Sequence, residues 1–173
     1  MKVIFLDVYG VLIHNKYSNK ETLHIDEDKV KILKQIIDQT EAKIVLSSTW
    51  KNSYKKVTPN KNRYEVLENV LKRNDLEIYD RVPGIKPELL TTQELKNKKY
   101  KKVKSKYNPY TRRSGEIYNY LKNHEIEAFL IIDDRDFDWK FFGYNKKLIK
   151  TSYKKGGLLK KHIKKAIKIL NNK

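Results

Sequence analysis

Acidic residues directly follow two short apolar segments that lie far apart in the chain. Asp7 follows Val3–Leu6, and the pair Asp133 and Asp134 follows Ala128–Ile132. Short apolar runs with β-branched residues are typical of buried strands in a parallel sheet, and ligands bind where such strands end. We therefore expect the three carboxylates to converge at one edge of a sheet, where their mutual repulsion favours a bound cation. Oxygen ligands of this kind suit Mg²⁺, which proteins usually share with a phosphate group.

Other residues near the predicted strand ends suit phosphoryl transfer. Asp7 is placed to attack phosphorus and form an aspartyl-phosphate, as carboxylates do in some ATPases. Ser47 and Ser48 end another apolar run, where their hydroxyl and backbone N–H groups can hold the non-reacting phosphate oxygens. Arg113, with Arg112 before it, precedes a predicted helix and can neutralise charge on the transferred group. Together these residues predict a metal-dependent phosphohydrolase.

The elements that would position these residues alternate between strand and helix. Apolar periodicity predicts, in chain order, Val3–Leu6, 27–41, Ile44–Leu46, 63–73, 114–124, Ala128–Ile132, Leu148–Ile149 and 158–170. Asp26 is a predicted N-cap for the first of the helices. The alternation predicts an α/β fold, a three-layer Rossmann-like sandwich with a mostly parallel sheet.

One domain accounts for residues 1–173, because this length suffices for one hydrophobic core and no internal repeat is visible. Within it, residues 51–112 as a whole are predicted to lack core-forming residues, and they include a predicted turn at Asp80–Gly84 and a lysine-rich stretch over 96–106. We interpret 51–112 as a small basic insertion, similar to a cap, that lies over the site. Substrate specificity would then reside in this insertion.

The composition is strongly basic. Lysine and arginine number 39 against 21 acidic residues, which gives a net charge of +18. A positive field of this size favours polyanions such as nucleic acid, nucleotides or an anionic surface. Lysine greatly outnumbers arginine, however, and asparagine, isoleucine and tyrosine are also abundant, as in proteins from genomes rich in A and T. Both explanations of the charge therefore stay open.

Several classes are excluded or disfavoured by composition. The absence of cysteine excludes disulfides and thiolate metal sites. No apolar stretch approaches the ~20 residues of a membrane span, and the N-terminal residues lack a signal-peptide pattern. We therefore expect a cytoplasmic protein without a membrane partner.

Four motifs, in the same order along the chain, resemble those of the haloacid dehalogenase-like (HAD) phosphohydrolase superfamily. The family's first motif is Asp-x-Asp-Gly-x-Leu after a strand, and Asp7–Leu12 reads DVYGVL here. Its second, a strand that ends in Ser or Thr, is matched by Ile44–Ser48. Its third, a basic residue near a helix start, is matched by Arg113, and its fourth is the acidic pair Asp133-Asp134. The resemblance covers nearly the whole chain and implies a Mg²⁺-dependent phosphohydrolase.

A narrower resemblance concerns three further segments. Ser47–Trp50, Arg113–Ile117 and the Gly157-Leu158 pair before the last predicted helix are similar to the HAD domain of RNA-repair proteins. This resemblance implies a phosphorylated nucleotide or other small molecule, or a nucleic-acid end, as the substrate.

Tyr9 departs from the pattern of HAD phosphatases, which place a second aspartate, their general acid and base, at this position. A phenol with a pKa of ~10 is a poor base for activating water at neutral pH, although it can give a proton to a leaving group. Slow turnover is therefore expected. The order Asp-x-Tyr-Gly also opens the 2-haloacid dehalogenases, which need no metal. Two alternatives follow: such a dehalogenase, or a catalytically impaired pseudo-enzyme that binds nucleic acid.

Overall fold

The computed structural model describes residues 1–15, 24–54, 62–86, 88, 90–96, 99–100 and 106–172. Its strands are β1 (Lys2–Leu6), β2 (Lys43–Leu46), β3 (Ile78–Arg81), β4 (Lys99–Tyr100), β5 (Lys106–Tyr107), β6 (Ala128–Asp133) and β7 (Leu148–Lys150). Its α-helices are α1 (Glu27–Thr40), α2 (Arg63–Lys72), α3 (Thr92–Lys96), α4 (Arg113–Lys122) and α5 (Ile163–Asn171).

A five-stranded sheet with the order β3-β2-β1-β6-β7 forms the centre of the fold, and all of its strand pairs are parallel. In the central strand β1, Leu6 lies opposite Leu46 of β2 on one side and Ile132 of β6 on the other. The chain proceeds from β1 to β2 and β3, and later returns to the opposite side of β1 as β6 and β7. The boundary between β1 and β6 is thus the switch point at which α/β sheets bind ligands.

Both faces of this sheet are covered, because successive strand residues point to opposite sides. Ile4 and Leu6 pack in a core with the apolar residues of α1, α2 and α5. Val3 and Phe5 pack on the other side with Ile117 of α4. The predicted three-layer α/β sandwich is therefore confirmed.

Helices α1, α2 and α4 begin close to the predicted positions. The carboxylate of Asp26 accepts a hydrogen bond from the N–H of Asp28 at 2.9 Å and caps α1 as predicted. Helices α2 and α4 lie within a residue or two of their predicted bounds. The last helix is shorter than predicted, because a 3₁₀ turn at Lys160–His162 precedes α5.

Part of the predicted insertion belongs to the main fold. β3 pairs with β2, and Leu67 and Leu71 of α2 are fully buried in the core. The prediction that 51–112 lacks core-forming residues is therefore wrong for α2, and β3 forms an edge of the central sheet. The predicted turn from Asp80 is also wrong at its start, since Asp80 and Arg81 complete β3.

The remainder of that range includes α3 and a two-stranded antiparallel pair, β4 with β5. Of the lysine-rich stretch over 96–106, residues 97–98 and 101–105 lie outside the described residues. A basic segment over the site therefore stays a prediction.

Candidate active site

The strands bring the predicted site residues to one edge of the sheet. The N–H of Asp7 donates to the carbonyl of Ile132 at 3.0 Å, which continues the pairing of β1 with β6 by one residue. On the other side, the N–H of Ser47 donates to the carbonyl of Leu6 at 3.0 Å. Asp133 is the last residue of β6. Asp7, Ser47 and Asp133 therefore lie side by side at the carboxyl ends of three adjacent strands.

Asp7, Asp133 and Asp134 form a tight carboxylate cluster. Each offers one oxygen, and these oxygens all lie within 4.8 Å of one another. Asp7 is 4% exposed, Asp133 is 0% exposed and Asp134 is half-buried. Because buried carboxylates lose their hydration and repel each other, this arrangement is costly unless positive charge is close by.

Arg113 supplies part of that charge. Its Nη1 lies 3.0 Å from Oδ1 of Asp7 and 2.6 Å from Oδ2 of Asp133. As the first residue of α4, Arg113 projects from the helix start towards the strand ends, and its guanidinium carbon stacks 4.6 Å from the ring centre of Phe137. The preceding Arg112 pairs with Asp138 instead. Of the two arginines considered from the sequence, Arg113 is therefore the one in the carboxylate cluster.

The electrostatics of the cluster leave an excess of negative charge. Burial and the charge of Asp7 raise the pKa of Asp133 to about 6, against the opposing effect of Arg113. Burial and Asp7 also raise the pKa of Asp134. For Arg113, burial is outweighed by the two carboxylates, which raise its pKa. Arg135 and Lys150 also act on Asp134 and lower its pKa, but the only ion pairs with the cluster among the described residues are those of Arg113. Three carboxylates that share one directly paired guanidinium leave room for the charge of a divalent cation.

Two details of the packing fit a cation at this position. Oδ1 of Asp134 is buried and has no hydrogen-bond partner among the described residues. Gly10, with φ +76°, turns the chain past Asp134 so closely that a Cβ at residue 10 would lie 2.2 Å from its Cγ. An all-oxygen donor set with an unpartnered carboxylate oxygen suits a hard cation such as Mg²⁺. Asp7, Asp133 and Asp134 are the residues that would hold it.

The two serines differ in their surroundings. Oγ of Ser47 is buried and has no hydrogen-bond partner among the described residues. Oγ of Ser48 accepts a hydrogen bond from the N–H of Trp50 at 3.5 Å and caps the short 3₁₀ helix Thr49–Ser53. The hydroxyl of Ser47 is therefore available to a ligand, whereas that of Ser48 has a structural role in this state.

Tyr9 is half-buried beside the site, between two aromatic neighbours. Its ring stacks with that of Tyr153 at 6.4 Å between centroids and meets Trp50 edge-on at 6.3 Å. The structure thus brings together Asp7, Ser47, Arg113, Asp133 and Asp134, and it gives Tyr9 aromatic contacts next to them.

Lys51 is a further residue near the site that the sequence patterns did not indicate. It is 8% exposed and forms an ion pair with Glu116 on α4, within one turn of Arg113. Burial lowers the pKa of Lys51, and the charge of Glu116 opposes this effect. In the sequence, two features could have indicated Lys51: its position directly after Trp50 and the i, i+3 spacing of Arg113 and Glu116.

The fold and the order of these motifs define a HAD-like α/β domain. The family model for the HAD domain in Swiss Army Knife RNA repair proteins matches residues 3–163, and the chain belongs to this family. The resemblance inferred from the motifs is thereby confirmed, and membership supports a HAD-type phosphohydrolase. No curated protein and no solved structure gives a significant match. Among the described residues, no helix has the length and apolar character that a membrane crossing requires.

Proposed function

We propose that this protein is a Mg²⁺-dependent phosphohydrolase that uses Asp7 as its nucleophile and acts on a phosphorylated nucleotide or nucleic-acid end. The observation that carries the proposal is the buried cluster of Asp7, Asp133 and Asp134, bridged by Arg113. Membership of a family of RNA-repair HAD domains supports this substrate class.

Each residue of the cluster has a distinct task in this mechanism. One oxygen of Asp7 attacks phosphorus, the bond from phosphorus to the leaving oxygen breaks, and the phosphoryl group remains on Asp7 until water releases it. Bound Mg²⁺, held by Asp7, Asp133 and Asp134, would supply Lewis-acid neutralisation of the phosphoryl charge. Arg113 orients Asp7 by contacting Oδ1, and the buried hydroxyl of Ser47 donates to a non-reacting phosphate oxygen.

The proton transfers fall to Tyr9 in this scheme. The phenol gives its proton to the leaving oxygen, and the resulting phenolate takes a proton from the water that attacks the aspartyl-phosphate. Protons then balance over the cycle. A phenol, with a pKa of ~10, gives up its proton less readily than a carboxylic acid does. Solvent at neutral pH also reprotonates the phenolate, so the base for the attacking water is scarce, and general acid–base help typically contributes ~10²–10⁴-fold. We therefore propose a functional enzyme with slow turnover.

The carboxylate cluster favours this function over a 2-haloacid dehalogenase. Halide displacement by Asp7 requires one carboxylate and no cation, and it gives no use for an unpartnered oxygen on Asp134. Phosphoryl transfer uses all three carboxylates, because Asp7 attacks phosphorus and all three together would hold the cation. The cation would in turn neutralise the charge of the phosphate group that binds beside them.

The test is phosphate release from 3′- and 5′-phosphorylated oligonucleotides, mononucleotides and an aryl phosphate, with Mg²⁺ or with EDTA. We expect release with Mg²⁺ on at least one substrate and none with EDTA. The matched variant Asp7→Asn keeps the size of the side chain and should show no release above background. A 2-haloacid is included as a substrate, and halide release that persists in EDTA would replace the proposal with the dehalogenase.

Absence of turnover on every substrate at high enzyme concentration would also refute the proposal. The nucleic-acid-binding pseudo-enzyme would then be the remaining candidate. It predicts oligonucleotide binding that is unchanged by Asp7→Asn and that weakens steeply with salt.

A further inference from the structure

A second feature of the molecule adjoins the carboxylate cluster. An open cleft of about 600 Å³ lies between the loop that follows β7 and the start of the C-terminal helical segment. Asp134 forms one of its walls, so the cleft opens directly beside the candidate active site. Its volume is within the range of ~300–1,000 Å³ found for ligand sites.

The cleft is strongly basic. Four lysines line it, against the single carboxylate of Asp134: Lys150, Lys154, Lys155 and Lys161. All four are exposed, and none has an ion-pair partner within the part of the chain that the structure describes. Such a concentration of unpaired ammonium groups in a concave surface attracts an anion.

Hydrogen bonds fix the position of this cleft relative to the active site. The N–H of Thr151 donates to the carbonyl of Asp133 at 3.0 Å, and the N–H of Leu158 donates to that of Val11 at 2.9 Å. Gly157 packs so tightly that a Cβ there would lie 2.3 Å from the same Val11 oxygen. The loop that carries Lys154 and Lys155 is thus joined both to β6 and to the segment that follows Asp7.

A buried hydroxyl in the cleft lacks a partner. Thr151 is 5% exposed and lines the cleft, and its Oγ1 has no hydrogen-bond partner among the described residues. A buried hydroxyl without a partner is costly in a folded protein, and an anionic oxygen would satisfy it. The hydroxyl and the lysines therefore point to the same kind of ligand.

We infer that this cleft binds a second phosphate of the substrate, adjacent to the phosphate that Asp7 attacks. The inference rests on the proposed phosphohydrolase function and narrows its substrate class. A mononucleotide has one phosphate and leaves the cleft empty, whereas an oligonucleotide end places its terminal phosphodiester in it. The preferred substrate is then a phosphorylated oligonucleotide end.

The experiment compares kcat/KM for an end-phosphorylated trinucleotide, the corresponding mononucleotide and an aryl phosphate. The parent should prefer the trinucleotide. In the variant Lys154→Gln/Lys155→Gln we expect the ratio of kcat/KM for trinucleotide over aryl phosphate to fall at least tenfold. The control Lys164→Gln/Lys168→Gln removes the same charge from exposed positions of α5 outside the cleft. That control should keep the parental ratio.

Equal effects of the cleft and control variants, or a parent without preference for the trinucleotide, would overturn the inference. If the parent releases phosphate from no substrate, the proposed function fails, and the cleft is judged by binding of the phosphorylated trinucleotide alone. In that measurement, equal affinity of the cleft and control variants would overturn the inference. At least tenfold weaker binding by the cleft variant alone would support the cleft as an oligonucleotide site.

Discussion

The ammonium group of Lys51 lies 2.6 Å from Oε2 of Glu116, on the same turn of α4 as Arg113. Both side chains are largely buried. The pair joins the segment after β2 to the helix that carries Arg113 of the carboxylate cluster, and it thereby holds the start of α4 against the strand ends.

Lys51→Met should therefore be strongly destabilising. It leaves the largely buried Glu116 without its ion-pair partner, and breaking a buried pair in this way typically costs ~3–5 kcal/mol. The measurement is the free energy of unfolding from urea titration. Lys31→Met is the control, because the Lys31–Asp28 pair is 64% and 78% exposed, and exposed pairs contribute at most ~1 kcal/mol. Similar losses in the two variants would contradict a structural role for the Lys51–Glu116 pair.

Asp134→Asn should abolish Mg²⁺ binding without lowering the stability of the metal-free protein. In the metal-free protein the variant relieves repulsion from Asp7, so its melting temperature should equal or exceed that of the parent. The parent should gain about 2.7 kcal/mol at a Mg²⁺ concentration 100 times its Kd, and the variant should not. Asp136→Asn is the control, since Asp136 is exposed and outside the cluster. A variant that is destabilised without metal and keeps the full Mg²⁺ effect would exclude Asp134 as a ligand.

Gly10→Ala should damage the site through steric contact with Asp134. Gly10 and Gly143 have nearly the same φ, +76° and +74°, but only a Cβ at Gly10 meets neighbouring atoms. Both variants therefore share the free-energy cost of an alanine at positive φ, and the difference between them reports the steric contact alone. We expect Gly10→Ala to be less stable than Gly143→Ala by ~1–3 kcal/mol, the usual cost of overpacking, and to lose its Mg²⁺-induced thermal shift. An unaltered Mg²⁺ shift in Gly10→Ala would show that this close approach is not needed for metal binding.

Tyr9→Asp should raise the steady-state phosphatase rate. It restores a carboxylate at the acid–base position, and we expect an increase of about tenfold or more if attack of water on the aspartyl-phosphate limits turnover. Tyr9→Phe is the matched control, because it keeps the ring contacts with Tyr153 and Trp50 and removes only the hydroxyl. Circular dichroism verifies folding of both variants. A folded Tyr9→Asp variant with unchanged or lower turnover would contradict the proposal that the phenol at this position limits the rate.

The stability of the metal-free protein should depend on pH through Asp133. Its pKa is raised from 3.8 to about 6 on folding, so between these values the folded state holds a proton that the unfolded state has released. In EDTA, the stability of the parent relative to Asp133→Asn should therefore fall as the pH rises from about 4 to about 6, and stay level above about 7. A difference that does not change with pH would contradict the raised pKa.

The sequence was sufficient to predict which residues of the candidate site lie together at the strand ends. Asp7, Ser47 and Asp133 stand directly after runs whose burial is evident from composition, and the parallel sheet brings such positions together. For these three residues the local pattern contained the information. For the basic residue it left both Arg112 and Arg113, and the resemblance to the third HAD motif favoured Arg113.

Other features depend on contacts that no local pattern reveals. β3 was missed because it is an edge strand whose residues are only partly buried or exposed, and its polar Asp80 and Arg81 are typical of a turn. Lys51 and Glu116 are 65 residues apart, so their pairing follows from the packing of α4 alone. The lysines of the cleft cannot be distinguished by sequence from the many exposed lysines elsewhere.

The register of β1 and β6 has a consequence for how folding errors would affect the site. Residues alternate strictly between the two layers, so a slip of one residue would place Leu130 and Ile132 on the face now occupied by Ile131. The same slip would carry Asp133 away from Asp7, since both follow the paired residues Leu6 and Ile132. The apolar layers therefore penalise a slip of one residue, the smallest error that would separate the carboxylates. The buried apolar residues of β1 and β6 thus help to assemble the acidic cluster as well as the core.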